Sequence, residues 1–261
     1  MANEVTKKEQ TALEEVKVKT LASFISTEDT AEGFEDMDSS TRAIPFIKVL
    51  NAMSPELDSD SPNYMAGARQ GDIVNSVTKE NYGRNINVIV SKFEHIVTEW
   101  KPMRGGFVGY HTPLEAESLI VDKTFGAWKS KEGNDLVDTY MYYFVIEGHE
   151  NDGVLVYAAD SSDLKEGRKL NAMLTTRFDA TGRRAMMYHQ VYKMETMKAS
   201  NDKGSWYKPS YEFVGFIQDE KLYLTVKAIR DALGAGEAKV DFNQMDGAGK
   251  QTTPATDASA Y

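Results

Sequence analysis

The sequence predicts a mainly β domain of the α+β class. Three observations carry that expectation: β-branched and aromatic runs alternate with polar residues over much of the chain, glycine-bearing turns separate them, and only two segments in the body of the chain carry a helical period. The 261 residues suffice for one core or two small ones, because a chain this long buries roughly 73% of the surface it exposes when unfolded.

The elements follow in order. From "IPFIKVLNAMSP" the pattern becomes globular, with Ile44, Phe46, Ile47, Val49 and Leu50 as predicted core. "GDIVNSV" reads as a short strand, and "NINVIVSKFEHIVTEW" as one bent strand or two. "RGGFVGYH" reads as a glycine-rich loop. "TYMYYFVIE" and "GVLVYAAD", parted by "GHEND", read as a hairpin. In "SSDLKEGRKLNAMLTTRF" the period changes: Asp163 with Glu166 suits a capped helix start, and Leu170, Met173 and Leu174 share a face. Two extended arms then flank the turn "NDKG". A last helix is predicted over Asp219 to Leu233, with Leu222, Val226, Ile229 and Leu233 on one stripe and Gly234 as its cap.

The ends differ in composition. Residues 1–40 hold four bases and ten acids, and "TEDTAEGFEDMD" has six acids and no base. Such a segment buries too little apolar surface to order alone, although Lys8 to Ile25 carries a weak helical stripe. The expected organisation is an acidic segment at 1–40, one globular domain at 41–242 and a flexible tail at 243–261.

Cysteine is absent, which excludes disulfides, thiolate zinc sites and cysteine nucleophiles and suits a reducing compartment. Nothing in the first residues resembles a signal peptide, and no apolar run approaches the 18 or so residues of a membrane span. A soluble, cytoplasmic protein is the expectation.

The net charge of −10 argues at face value against nucleic acid, but the charge is not evenly spread. Residues 164–210 hold ten bases against four acids. Local field, not net charge, steers a ligand. Within "KASNDKGSWYKPSYEF" strand parity puts Trp206 and Lys208 on one side and Tyr207, Tyr211 and Phe213 on the other. Lys193, Lys198 and Lys203 join the first group across the hairpin. Arg177, Arg183, Arg184, Tyr188 and Tyr192 precede it, and a second basic and aromatic cluster lies upstream at Tyr82, Arg84, Trp100, Lys101 and Arg104.

Aromatic faces stack on bases of any identity while cations neutralise phosphates, so two such clusters on β segments predict a nucleic-acid groove. The bland alternative is an amphipathic hairpin with a solvated lysine face.

Enzymatic readings lack their cues. His95, His111, His149 and His189 are scattered without ligand spacing, so neither a metal nor another cofactor is expected. "GGFVG" has no Gly-Lys-Ser/Thr after it, and no Gly-x-Ser-x-Gly elbow occurs. "DSSD" at Asp160 to Asp163 reads as a helix cap.

The succession "GARQGDIVNSVTKENYG", "VTEWKPMRGGFVGYH", "DSSDLKEGRKLNAML" and "ETMKASNDKGSWYKPSYEFVG" resembles bacteriophage early-region proteins similar to phage single-stranded DNA-binding proteins, over about Ile44 to Gly215. The resemblance implies an oligonucleotide-binding (OB) β-barrel with one or two packed helices, non-catalytic and sequence-tolerant binding to replication or recombination intermediates, and residence in the infected host's cytoplasm. It implies single-stranded DNA as partner; replication or recombination proteins docking through Glu28 to Asp38 or the C-terminal tail are further candidate partners, and the sequence leaves a homo-oligomer open.

In that reading Tyr82, Trp100, Tyr188, Tyr192, Trp206 and Tyr207 stack on bases. Arg84, Lys101, Arg104, Arg177, Arg183, Arg184, Lys193, Lys198, Lys203 and Lys208 contact phosphates. Many proteins of this function end in an acidic tail, whereas "KQTTPATDASAY" has one acid and one base, so the run Glu28 to Asp38 is the alternative docking segment. A phage interaction or virion protein with an aromatic protein interface is the competing expectation.

Overall fold

The computed structural model describes residues 44–124, 127–202, 204–235 and 240. The predicted acidic segment with Glu28 to Asp38, the tail at 243–261 and Lys203 lie outside the described residues.

The domain is mainly β, with antiparallel sheets and three helices among the described residues. A small sheet contains β1 (Ile47–Val49), β2 (Ile73–Asn75) and β3 (Asn81–Gly83) in that order. An eight-stranded sheet is built on β4 (Asn85–Trp100) and β8 (Asp135–Ile146), which pair along most of their length. Beside them run β5 (Phe107–His111), β6 (Ile120–Thr124), β7 (Ala127–Ser130), β9 (Leu155–Asp160), β10 (Gln190–Asn201) and β11 (Gly204–Phe216). Its path is β11-β10-β4-β8-β7-β6, with β5 beside β4 and β9 beside β8. The helices are α1 (Pro113–Leu119), α2 (Leu164–Thr175) and α3 (Glu220–Gly234).

Alternation along β4 sends its side chains to two cores. Ile86, Val88 and Val90 face an inner core with Tyr142, Phe144, Tyr192 and Met194, while Ile89 joins Val145 and Val191 under Leu222 and Val226 of α3. The predicted bent strand is one strand, shifted in register between Val90 and Lys92, where the Ser91 hydroxyl donates to the Tyr143 carbonyl (2.8 Å).

The expected barrel is corrected: the sheets do not close. Among the described residues β9 lies beside β8 and β11 beside β10, and no strand ladder joins β9 to β11. β1 and α2 each pack against both of those strands and so occupy the space between their unpaired edges. β1 meets β9 through one parallel bridge, Phe46 to Val156, and meets β11 through Asn51, whose amide accepts from the Tyr207 N–H (2.6 Å) and donates to its carbonyl (3.3 Å). A side chain thus stands in for a neighbouring strand, which satisfies a β11 edge that sequence periodicity cannot foresee.

Three local expectations also change. "RGGFVGYH" contains β5, because Phe107 packs on Trp100 (5.3 Å between ring centroids) and the segment pairs with the end of β4. Asp163 does not cap α2; its carboxylate accepts instead from the buried Tyr157 hydroxyl (2.5 Å). α3 ends on Ala235 in right-handed geometry, not on a left-handed Gly234, although Asp219 caps its start by accepting from the N–H groups of Lys221 (2.7 Å) and Leu222 (3.3 Å).

Candidate nucleic-acid interface

Two predicted contacts, Trp100 and Tyr192, are withdrawn into the interior, and two more, Tyr82 and Tyr188, are half-buried against neighbouring side chains. Trp100 is 1% exposed and its indole N–H donates to the Thr98 hydroxyl (2.9 Å). Tyr192 is fully buried, donates to Gln190 Oε1 (2.6 Å), and burial pushes its hydroxyl pKa up. Tyr82 is held by Asp152 (2.7 Å) and packs edge-on against His149. Burial raises its pKa as well. Tyr188 packs against His189 and Tyr223 of α3, with the Arg230 guanidinium 5.7 Å from its ring centroid. Neither Trp100 nor Tyr192 offers a face to a base, because apolar core outcompetes solvent for these rings.

Several of the remaining residues fall along the edge where α2 covers β11. At one end Lys208 Nζ donates to Glu166 Oε1 (3.0 Å), so Lys208 is not on the open lysine face that parity predicts. Burial opposes ionisation of Glu166, but hydrogen bonds from Lys169 and Lys208 outweigh it and hold the carboxyl below its ordinary range. At the other end Gln190 Nε2 donates to the carbonyl of Leu174, the last buried residue of α2 (3.1 Å), and the Arg177 guanidinium lies 4.3 Å from the Phe213 centroid. α2 and the two residues after it therefore follow β11 from Lys208 to Phe213, a length of about 17 Å at the rise of an extended strand.

The side of α2 turned away from the core exposes Lys165, Arg168 and Lys169. Directly after it the chain makes a tight arm. Asp179 accepts from the N–H groups of Thr181 (2.8 Å) and Arg183 (3.0 Å), and Phe178 and Arg184 form an antiparallel bridge. Arg183 and Arg184 are exposed, and Phe178 is 56% exposed. Residues 164–184 hold six bases against two acids, Glu166 and Asp179, both engaged in local bonds. The result is a cationic ridge with an exposed ring at its end. Sequence reading passed over Phe178; the cue was an aromatic directly after Arg177 and before the Asp-Ala-Thr-Gly-Arg-Arg turn.

The upstream cluster partly joins this edge. The Arg84 guanidinium lies 5.2 Å from the Tyr207 ring centroid, and Arg104 pairs with Asp160 (2.7 Å) beside a cavity that Tyr207 also lines. Trp206 is half-buried, and its indole N–H has no partner among the described residues. Lys198 and Lys101 are exposed, while Lys193 pairs with Glu195 (3.1 Å).

A family model described as "Pam3 phage gp34-like protein" matches residues 9–239. The chain belongs to the Pam3 phage gp34-like protein family. No curated protein and no solved structure matches it. In this phage family member no helix among the described residues is long and apolar enough to cross a membrane, and no three His, Asp or Glu side chains among them are placed to hold a metal ion.

Proposed function

We propose that this phage protein binds single-stranded DNA without catalysis, as a replication or recombination factor. The observation that carries the reading is the cationic ridge: Lys165, Arg168 and Lys169 on α2 run into an arm bearing Arg183, Arg184 and an exposed Phe178, in a chain of net charge −10. Long-range repulsion by the rest of the chain leaves binding dependent on contacts within a Debye length of about 10 Å at 0.1 M salt. The ridge supplies phosphate contacts, while Phe178 and the partly exposed faces of Trp206 and Tyr207 supply stacking that ignores base identity. Membership of a phage family supports the setting.

The test is an anisotropy titration of labelled oligo-dT and of duplex DNA at two salt concentrations. Salt-sensitive binding that favours the single strand supports the reading; no binding at low salt removes it.

A second reading, a protein–protein interface, has its own observation. Val108 and Tyr110 on one face of β5, together with Met103 and Leu114 nearby in the chain, are all exposed. Co-purification with a phage or host protein that Val108→Asp abolishes, in a variant that keeps its oligo-dT affinity, separates this surface from the ridge.

A further inference from the structure

The large sheet protects its free edges unequally. β11 is covered by α2 and by Asn51. β6, which lies beside β7 at the end of the sheet, carries Asp122 and Lys123, and a two-fold pairing of β6 with itself about either residue sets like charges against each other. β5 has neither device. No described strand lies on its outer side, and "FVGYH" holds no Asp, Glu, Lys or Arg. An edge of this kind is a template for another chain.

Two further features sit on that edge. Val108 is 47% and Tyr110 60% exposed, and the register shift beside Glu99 gives β5 one residue more than β4, so that Val108 has no counterpart there. At Gly109, between them, an added Cβ would meet nothing within 4 Å, and the backbone is not left-handed, so the single chain does not demand glycine. Glycine inside a strand also marks where a second backbone comes close.

The segment is self-complementary about Gly109. In an antiparallel pairing of two copies centred there, Val108 of each stands opposite Tyr110 of the other, a β-branched side chain against an aromatic ring, which is a favoured cross-strand pair. The same two-fold brings the residues that precede β5 in one copy to the end where the other copy's chain leaves β5. Exposed Lys101 and Met103 precede the strand, and exposed Leu114 and Glu117 follow it. A cation and an apolar side chain therefore share each end with an apolar side chain and an anion, so the pairing is complementary in charge as well as in apolar surface.

We infer that the outer edge of β5 is a homodimer contact, in which two copies of this chain pair β5 to β5 antiparallel about Gly109. The inference rests on the reading of the exposed β5 surface as a protein interface, and it names the partner as a second copy.

The chain has no cysteine, so one introduced thiol reports the pairing without background. Across the two-fold the Gly109 Cα atoms lie about 5 Å apart, within the span of a disulfide. Under mild oxidation Gly109→Cys is expected to run as a linked dimer on a non-reducing gel, and Val121→Cys, exposed on β6, as a single chain. Light scattering of the wild-type full chain without DNA should give twice the chain mass. Val108→Lys/Tyr110→Lys, which sets lysines against each other in both cross-strand pairs, should give the chain mass alone. Thermal unfolding identifies a misfolded variant, and the thiol comparison then decides. A wild type of single-chain mass, a dimer that survives the lysine variant, or cross-linking no faster at Gly109→Cys than at Val121→Cys overturns the inference. The surface as an interface for a different protein is tested apart from this, because a monomeric chain that still co-purifies with a partner sensitive to Val108→Asp overturns the homodimer and keeps that reading.

Discussion

Lys208 Nζ on β11 and Glu166 Oε1 on α2 lie 3.0 Å apart, with only 16% and 7% of the two side chains exposed. This pair, reinforced by Lys169 at 2.8 Å, ties the helix carrying the ridge to the edge of the sheet. Glu166→Gln should therefore destabilise the protein by about 2 kcal/mol at pH 7, the scale of hydrogen bonds to a charged group. The folded state depresses the Glu166 pKa, so its contribution is present above the ordinary glutamate pKa and is lost as pH falls through the depressed one. Asp163 has the opposite sign: burial raises its pKa, so its protonation on acidification favours the fold. Chemical denaturation of wild type and Glu166→Gln at pH 7 and at pH 3 should show the difference shrinking in acid; a constant difference contradicts the assignment.

Gly167 should not tolerate alanine. In a helix interior that change ordinarily stabilises by about 1 kcal/mol. Here a Cβ would meet the Tyr140 ring at 2.9 Å and the Tyr142 hydroxyl at 3.0 Å, and Tyr142 is fixed by donating to the Gly167 carbonyl (2.9 Å). Overpacking of this kind costs about 1 to 3 kcal/mol. A fall in the urea midpoint is expected for Gly167→Ala, and a rise sinks this account of how α2 docks.

Phe178 should matter to binding and not to stability. It is exposed at the base of the arm, opposite Arg184, and loss of one stacked base costs about 1 to 3 kcal/mol. Tyr192→Phe should do the reverse, since its buried hydroxyl donates to Gln190 Oε1 and meets the Arg177 guanidinium inside the core. Oligo-dT affinity and thermal midpoints for both variants check the pair of expectations; weakened DNA binding by Tyr192→Phe with an unchanged midpoint contradicts them.

Much of the architecture was legible because strand periodicity is a local signal. The hairpins β8–β9 and β10–β11, the bent β4, and the stripe of Leu222, Val226 and Leu233 on α3 stand where the residues put them. Sheet closure was not, because it depends on pairings between remote segments, and here Asn51 replaces a strand at Tyr207. The candidate site was legible by region but not by residue. The basic stretch 164–210 contains the ridge, yet Trp100 and Tyr192 are core, and the distinction between a ring that packs inward and one that faces solvent lies in register and bulges that composition does not encode. Asp163 likewise has the spacing of a cap but finds Tyr157, a partner six residues earlier on β9.

The most direct test of the central claim is the salt dependence of oligo-dT binding for wild type and for the double variant Arg183→Ala/Arg184→Ala. With two phosphate contacts removed, the log–log slope should become shallower by about 1.4, at roughly 0.7 per contact on a single strand. An unchanged slope, with affinity retained, would contradict the claim that the arm following α2 engages the DNA backbone.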